Sequence, residues 1–316
     1  MPPLSRRGDE TREDVMKLVR KLLRIGGILL LLIVLLFASL LAALHFLGGG
    51  SGAANQSVIT MKDVAYGLHP RQKLDIYLPS AAASLPSLGL FVWIHGGTWA
   101  GGDKAQYAAQ AREVCQWGFA CASINYRLNS ADAAEPNIHP AQVEDVAAAV
   151  DFLADNAARW NIDPNRAIVL GHSSGGHLAL LYAYAYDKAK RVRAVAAFAA
   201  PTDFTAPEWA AVTDPPLAET IFPRLLGRTK DDDPEGVWRS ASPLHRARES
   251  PVPTVLVHGR QDRVVPVEQA IRLDAELARL GVPHLLLIEE NATHDIKTFD
   301  SAALAQFLLR HGKGAE

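Results

Sequence analysis

The segment Leu170-Gly171-His172-Ser173-Ser174-Gly175-Gly176-His177 places a serine at the centre of Gly-x-Ser-x-Gly. An apolar run of strand length precedes it and a helical pattern follows. In that setting the glycines permit a sharp strand-to-helix turn that lifts Ser173 Oγ above a sheet, at a helix N-terminus. A serine hydroxyl is a poor nucleophile until a base takes its proton. Partners are therefore expected downstream, in the order Ser, acid, His. His284 begins a strand and His311 lies in the charged C-terminal tail. His294, in Asn291-Ala292-Thr293-His294-Asp295, sits just beyond the carboxyl end of a strand and is the expected base. Asp262, in His258-Gly259-Arg260-Gln261-Asp262, also follows a strand end and is the expected acid, orienting the imidazole and stabilising its cation. Asp203, Asp214, the run Asp231–Asp233 and mid-helix Asp274 are worse placed. A tetrahedral intermediate also needs hydrogen-bond donors for its oxyanion, each worth about 3 kcal/mol. His95-Gly96-Gly97-Thr98-Trp99 follows a strand and brings backbone N–H groups close to a substrate. Gly97, Thr98 and Ser174 are the expected donors, with Gly96 a further candidate. His95 is expected to fix the loop.

Elements able to carry these residues can be read from the apolar pattern. Strands are expected over Lys73–Leu78, Leu90–Ile94, Ala120–Asn125, Ala167–Leu170, Val192–Phe198, Thr254–Val257 and Leu285–Glu289. Helices are expected near Ala105–Trp117, Ala141–Ala157, Gly175–Tyr186, Val267–Leu280 and Lys297–Arg310. This alternation predicts an α/β domain with a mostly parallel central sheet flanked by helices. The first two strands lack a helix between them and are expected to form an antiparallel edge. Residues 203–250 break the rhythm and read as a small cap insertion over the carboxyl ends of the strands, where ligands bind in such sheets. Trp209, Ile221, Phe222, Leu225 and Trp238 of the insertion, together with Trp99 of the HGGTW segment, are the candidate substrate contacts.

The N-terminal region differs in kind. Ile25 to Leu44 is an uncharged run of 20 residues. At about 1.5 Å per residue it spans the roughly 30 Å of a bilayer core. A membrane anchor is expected over 25–47, uncleaved because the run is longer than a signal sequence needs. Arg6, Arg7, Arg12, Lys17, Arg20, Lys21 and Arg24 precede it, and no charge follows until Lys62. The basic tail, residues 1–24, is therefore expected in the cytoplasm. The catalytic domain, 57–316, is expected outside, tethered by a flexible linker over 48–56; were the segment cleaved, the domain would be secreted. The whole chain has 316 residues, 49% hydrophobic, with net charge −2. That balance removes the electrostatic reason for a nucleic-acid partner. Its two cysteines cannot build a disulfide framework or a four-thiolate zinc site, and no cofactor or metal is expected. Cys115 and Cys121 could pair in an oxidising compartment only if their geometry allows.

From about residue 57 to 312 the chain resembles the α/β-hydrolase superfamily. Within it, HGGTW, Ser123–Leu128 (SINYRL), GHSSGGHLA and HGRQDRVVP resemble the esterase and kynurenine formamidase-like group. The resemblance implies that Ser173, Asp262 and His294 form a triad and that the HGGxW segment carries the oxyanion hole. Thr98 stands where hormone-sensitive-lipase-type relatives have a third glycine. The implied activity is a serine carboxylesterase acting on small or short-acyl esters. Two alternatives are an arylformamidase and a binding module on an inactive hydrolase scaffold. Arg127 and Asp145 are expected to form an ion pair holding a loop, and His172 and His177 to serve packing.

Overall fold

The computed structural model describes residues 57–312, apart from residues 131, 133, 214, 215 and 235. The tail, the expected anchor and the linker lie outside the described residues. Among the described residues no helix is long and apolar enough to cross a membrane.

Eight strands form one sheet: β1 (Val58–Ala65), β2 (Lys73–Pro79), β3 (Leu88–Ile94), β4 (Ala120–Ile124), β5 (Ile162–His172), β6 (Val192–Phe198), β7 (Thr254–Gly259) and β8 (His284–Glu289). Their order is β1-β2-β4-β3-β5-β6-β7-β8. The ladders from β4 to β8 are all parallel, whereas β2 runs antiparallel to both β1 and β4. This corrects one expectation. The first two expected strands, β2 and β3, are not neighbours, because β4 lies between them. The edge strand is β1, which the sequence pattern does not reveal. Its alternation is broken where the register with β2 shifts between Met61 and Val64, and Asp63 there takes a φ of 55°.

Successive side chains of a strand point to opposite faces, and here both faces are covered. Val92 and Ile94 of β3 and Val169 of β5 join one core layer, beneath α2 (Ala141–Asp155), α3 (Ser174–Leu181) and α4 (Glu268–Arg279). Phe91, Trp93, Ile168 and Leu170 join the other, beneath α1 (Ala108–Gln116) and α5 (Ser301–Gly312). Two-sided burial explains why these strands read as unbroken apolar runs. Cys115 and Cys121 are free, buried thiols in this second layer. Burial pushes the Cys115 thiol up to about 12.

Arg127 and Asp145 meet as expected, with more contact than an exposed pair. Arg127 Nε and an Nη donate to both oxygens of the buried Asp145 carboxylate, the closest at 2.7 Å, and the Arg127 backbone N–H adds a bond of 2.7 Å. Gln72 Nε2 donates to the same carboxylate at 2.8 Å. The insertion folds as short helical turns, including Pro207–Ala211, Phe222–Leu226, Val237–Ser240 and Pro243–Arg246.

Candidate active site

β5 ends at His172 and α3 begins at Ser174, so Ser173 occupies the turn alone. Its φ of 56° and ψ of −123° lie where a side chain is strained, at a cost of order 1–3 kcal/mol. Two bonds hold it there. The Ser173 N–H donates to the Phe198 carbonyl at the end of β6 (2.7 Å), and the His177 N–H donates to the Ser173 carbonyl (3.0 Å). A side chain at Gly175 would fall on the carbonyl oxygens of Ile94 and His95. Glycine there lets α3 start directly against the end of β3.

His294 lies between the serine and a carboxylate. Ser173 Oγ is 3.1 Å from His294 Nε2, and Asp262 Oδ2 is 2.8 Å from His294 Nδ1. A carboxylate only accepts, so the proton sits on Nδ1 and Nε2 is left to accept from the serine hydroxyl. Asp262 is itself held firmly. Its Oδ1 accepts from the N–H groups of Val264 (2.8 Å) and Val265 (2.9 Å), and its Oδ2 is 3.3 Å from His258 Nε2. Burial alone would raise the Asp262 carboxyl. The His294 charge and the donors from His258 and His294 overcome it and hold the group far below the usual carboxylate range. Burial alone would lower His294, but the Asp262 charge and hydrogen bond lift it above the ordinary histidine value.

His172 braces the base from the β5 side. Its Nε2–H donates to the His294 carbonyl at 2.9 Å, and the rings are 4.9 Å apart. Burial pushes it down to about 3, so it stays neutral beside the base.

The loop after β3 packs against the serine. A Cβ at Gly96 would lie 2.8 Å from the His172 carbonyl and 3.5 Å from Ser173 Cβ. Gly97, Thr98 and Trp99 all have positive φ, at 117°, 51° and 57°, and such a conformation in non-glycine residues needs support from outside the loop. His95 supplies part of it. It is fully buried, stacks on Tyr126 at 4.3 Å, donates from Nδ1 to the Gly96 carbonyl and accepts from Arg71 on Nε2 at 3.1 Å. The Tyr126 hydroxyl donates to the His95 carbonyl at 2.9 Å, and burial pushes His95 down to about 4. His177 supplies the rest. The Trp99 indole N–H donates to His177 Nδ1 (3.2 Å), and His177 Nε2–H donates to the Ala241 carbonyl of the insertion (2.8 Å). Ser174 is the first residue of α3. Its N–H is one of the four that no carbonyl of the helix satisfies. The structure thus brings Gly96 and Ser174 against Ser173, with Gly97 and Thr98 next along the same loop.

The expected substrate contacts require a correction. Trp99, Trp209, Phe222, Leu225 and Trp238 are at most 2% exposed. Phe222 packs edge-on against Trp209 (5.0 Å), Trp238 (6.0 Å) and Trp99 (6.1 Å), and tilts against Phe204 at 4.5 Å. The indole N–H groups of Trp209 and Trp238 are spent on the carbonyls of Asp203 and Arg228. Large apolar residues in a short, irregular insertion must first give it a core of its own, and these rings do that while clamping it to Trp99. Several contributors were given no role from the sequence. Arg71, in the turn before β2, and Tyr126, just past the end of β4, hold the loop from outside it. His258, inside a segment read for its aspartate, reaches that aspartate.

Among the described residues no group of three or more His, Cys, Asp or Glu side chains could hold a metal ion. A strand-end serine on a helix-capped turn, a histidine and a carboxylate from later loops, and a mostly parallel eight-stranded sheet are the architecture of the α/β-hydrolase fold. Residues 74–277 match the BD-FAE family, and the chain belongs to it. It is 31% identical over 223 residues to the esterase LipC of Mycobacterium tuberculosis (strain ATCC 25618 / H37Rv), covering 66% of this chain and 52% of that protein. To the esterase LipQ of the same organism it is 28% identical over 257 residues, covering 76% and 58%. It spans little more than half the length of these relatives. Among solved structures, a truncated carbohydrate esterase from gut microbiota superposes with a TM-score of 0.68 at 24% identity, over 82% of this chain and 97% of that one.

Proposed function

We propose that the protein is a serine carboxylesterase that cleaves small or short-acyl carboxylic esters. The observation that carries this reading is His294, hydrogen-bonded at once to Ser173 Oγ and to Asp262. Ser173 attacks the ester carbonyl while His294 Nε2 takes its proton. Asp262 stabilises the imidazolium that forms. The oxyanion is held by the N–H of Ser174 and by N–H groups of the 96–98 loop. His294 then protonates the departing alkoxide, and a water molecule, activated by the same imidazole, releases the acid from Ser173. The similarity to LipC and LipQ supports an ester as the bond cleaved.

Ser173→Ala is expected to abolish hydrolysis of p-nitrophenyl acetate and labelling by a fluorophosphonate while leaving the melting temperature near wild type. Turnover by that variant at the wild-type rate would overturn the assignment. The uncharged run 25–44 and its basic flank support a catalytic domain anchored outside the cytoplasm. Protease added to intact cells or spheroplasts should then cut the domain away from the membrane fraction, whereas full protection until lysis would overturn that placement.

A further inference from the structure

The proposed reaction uses one histidine, yet the acid faces two. His258, near the end of β7, is buried. Its Nε2 lies 2.9 Å from the Val265 carbonyl and 3.3 Å from Asp262 Oδ2. Both partners only accept, so Nε2 carries a proton that is hydrogen-bonded to Val265 and lies close to the charge on Asp262 Oδ2. If its role were only to pin residues 258–265, the Val265 carbonyl would suffice as its partner. The second contact falls instead on the same oxygen that accepts from His294 Nδ1 at 2.8 Å. The other oxygen, Oδ1, is taken by two backbone N–H groups. Every acceptor direction of the carboxylate thus has a donor, and the oxygen holding the base is divided between two imidazoles.

We propose that His258 is a positioning residue for His294, acting through Asp262: its Nε2–H fixes Oδ2 in line with the base and shares the negative charge that the base sees. This rests on the assignment of Ser173, His294 and Asp262 given above. A donor on a carboxylate stabilises its charged form and draws charge from it. With His258 in place, Asp262 orients His294 without holding its imidazolium so tightly that the base stays protonated. Without that donor, the undivided charge at Oδ2 favours the imidazolium, and His294 titrates at higher pH. Other groups facing His294 are Ser173 Oγ on Nε2, the neutral His172 ring from β5, and Asp295 on its own loop. None of these changes when His258 is replaced.

The test compares two amide replacements in the full chain. His258→Gln keeps a donor at the position of Nε2, and His258→Asn withdraws it to the position of Nδ1. The pH dependence of kcat/KM on p-nitrophenyl acetate is measured for both, for wild type and for Ser173→Ala. The expected result is an acid-limb midpoint raised by about half a unit or more in the Asn variant, with the Gln variant close to wild type. A midpoint unchanged in the Asn variant, with wild-type melting behaviour, would overturn the proposal and leave the triad standing. Activity in Ser173→Ala would instead overturn the triad. Should neither amide variant fold, nitrogen-15 spectra of histidine-labelled wild type decide. The His258 Nε2 signal is expected to shift as His294 titrates, and a His258 signal that ignores that titration would overturn the proposal.

Discussion

Replacing Asp262 by asparagine keeps size and shape and removes one charge, and the structure determines which way the new amide must turn. The Val264 and Val265 N–H groups converge on Oδ1 at 2.8 and 2.9 Å. Those backbone N–H groups cannot give up their protons, whereas of the two imidazoles at Oδ2 His294 can change tautomer and His258 keeps the Val265 carbonyl, so the asparagine oxygen takes the Oδ1 side. Its NH2 group then occupies the place of Oδ2, facing His294 Nδ1. His294 can accept from it only by giving up the Nδ1 proton and carrying one on Nε2 instead. Nε2 is the atom that must receive the Ser173 proton, so the base is present but in the wrong tautomer. That exchange costs about 10⁴-fold in kcat in a Ser-His-Asp relay, or about 5.4 kcal/mol of barrier. We expect a fall of this order for p-nitrophenyl acetate hydrolysis, a matching fall in fluorophosphonate labelling rate, and little change in KM. A variant within about tenfold of wild-type kcat, folded and labelled normally, would refute the argument that Oδ2 sets the tautomer.

The raised His294 pKa predicts that the acid limb of kcat/KM has its midpoint above the ordinary histidine value of about 6.5, checked by a pH–rate profile; a midpoint at or below that value contradicts it. The same pair sets a stability window. Asp262 is depressed, so its contribution is present above the ordinary carboxylate value and lost as pH falls through its folded value. His294 is raised, so its contribution is full below about 6.5 and lost as pH rises through its folded value. The melting-temperature gap between wild type and His294→Gln should therefore be widest between about pH 4 and 6.5 and narrow on both sides. Phe222→Ala should cost about 3–5 kcal/mol in urea unfolding with only a small change in KM; a large KM change with intact stability would return these rings to the substrate. Trp99→Phe leaves His177 Nδ1 buried without a donor. It should cost about 1–3 kcal/mol of stability and lower kcat more than it raises KM, measured on the same ester.

That Ser173, His294 and Asp262 come together could be read from the sequence because each follows an apolar run at the end of a parallel strand, where the chain leaves the sheet beside its neighbours. The glycines around Ser173 were legible for a related reason, since only a tight turn against another backbone demands them. β1 was not legible, because a shifted register and a left-handed Asp63 break its alternation. The aromatic residues of the insertion were legible as apolar but not in their role. Trp209, Phe222 and Trp238 look the same in a sequence whether they line a pocket or fill a core, and only their mutual packing decides it. Arg71 and Tyr126 support the loop through contacts spanning 24 and 31 residues to His95, which no local pattern reports.

The sheet's mixed direction has one further consequence. β1 is antiparallel to β2, and β2 to β4, so β1 runs in the same sense as the parallel strands. The chain therefore enters the domain at the floor of the sheet, by Val58, while Ser173, Asp262 and His294 stand at the roof. Whatever precedes residue 57 is joined to the side of the domain away from Ser173. A domain held by that end would keep those three residues on its far side, turned away from whatever holds it.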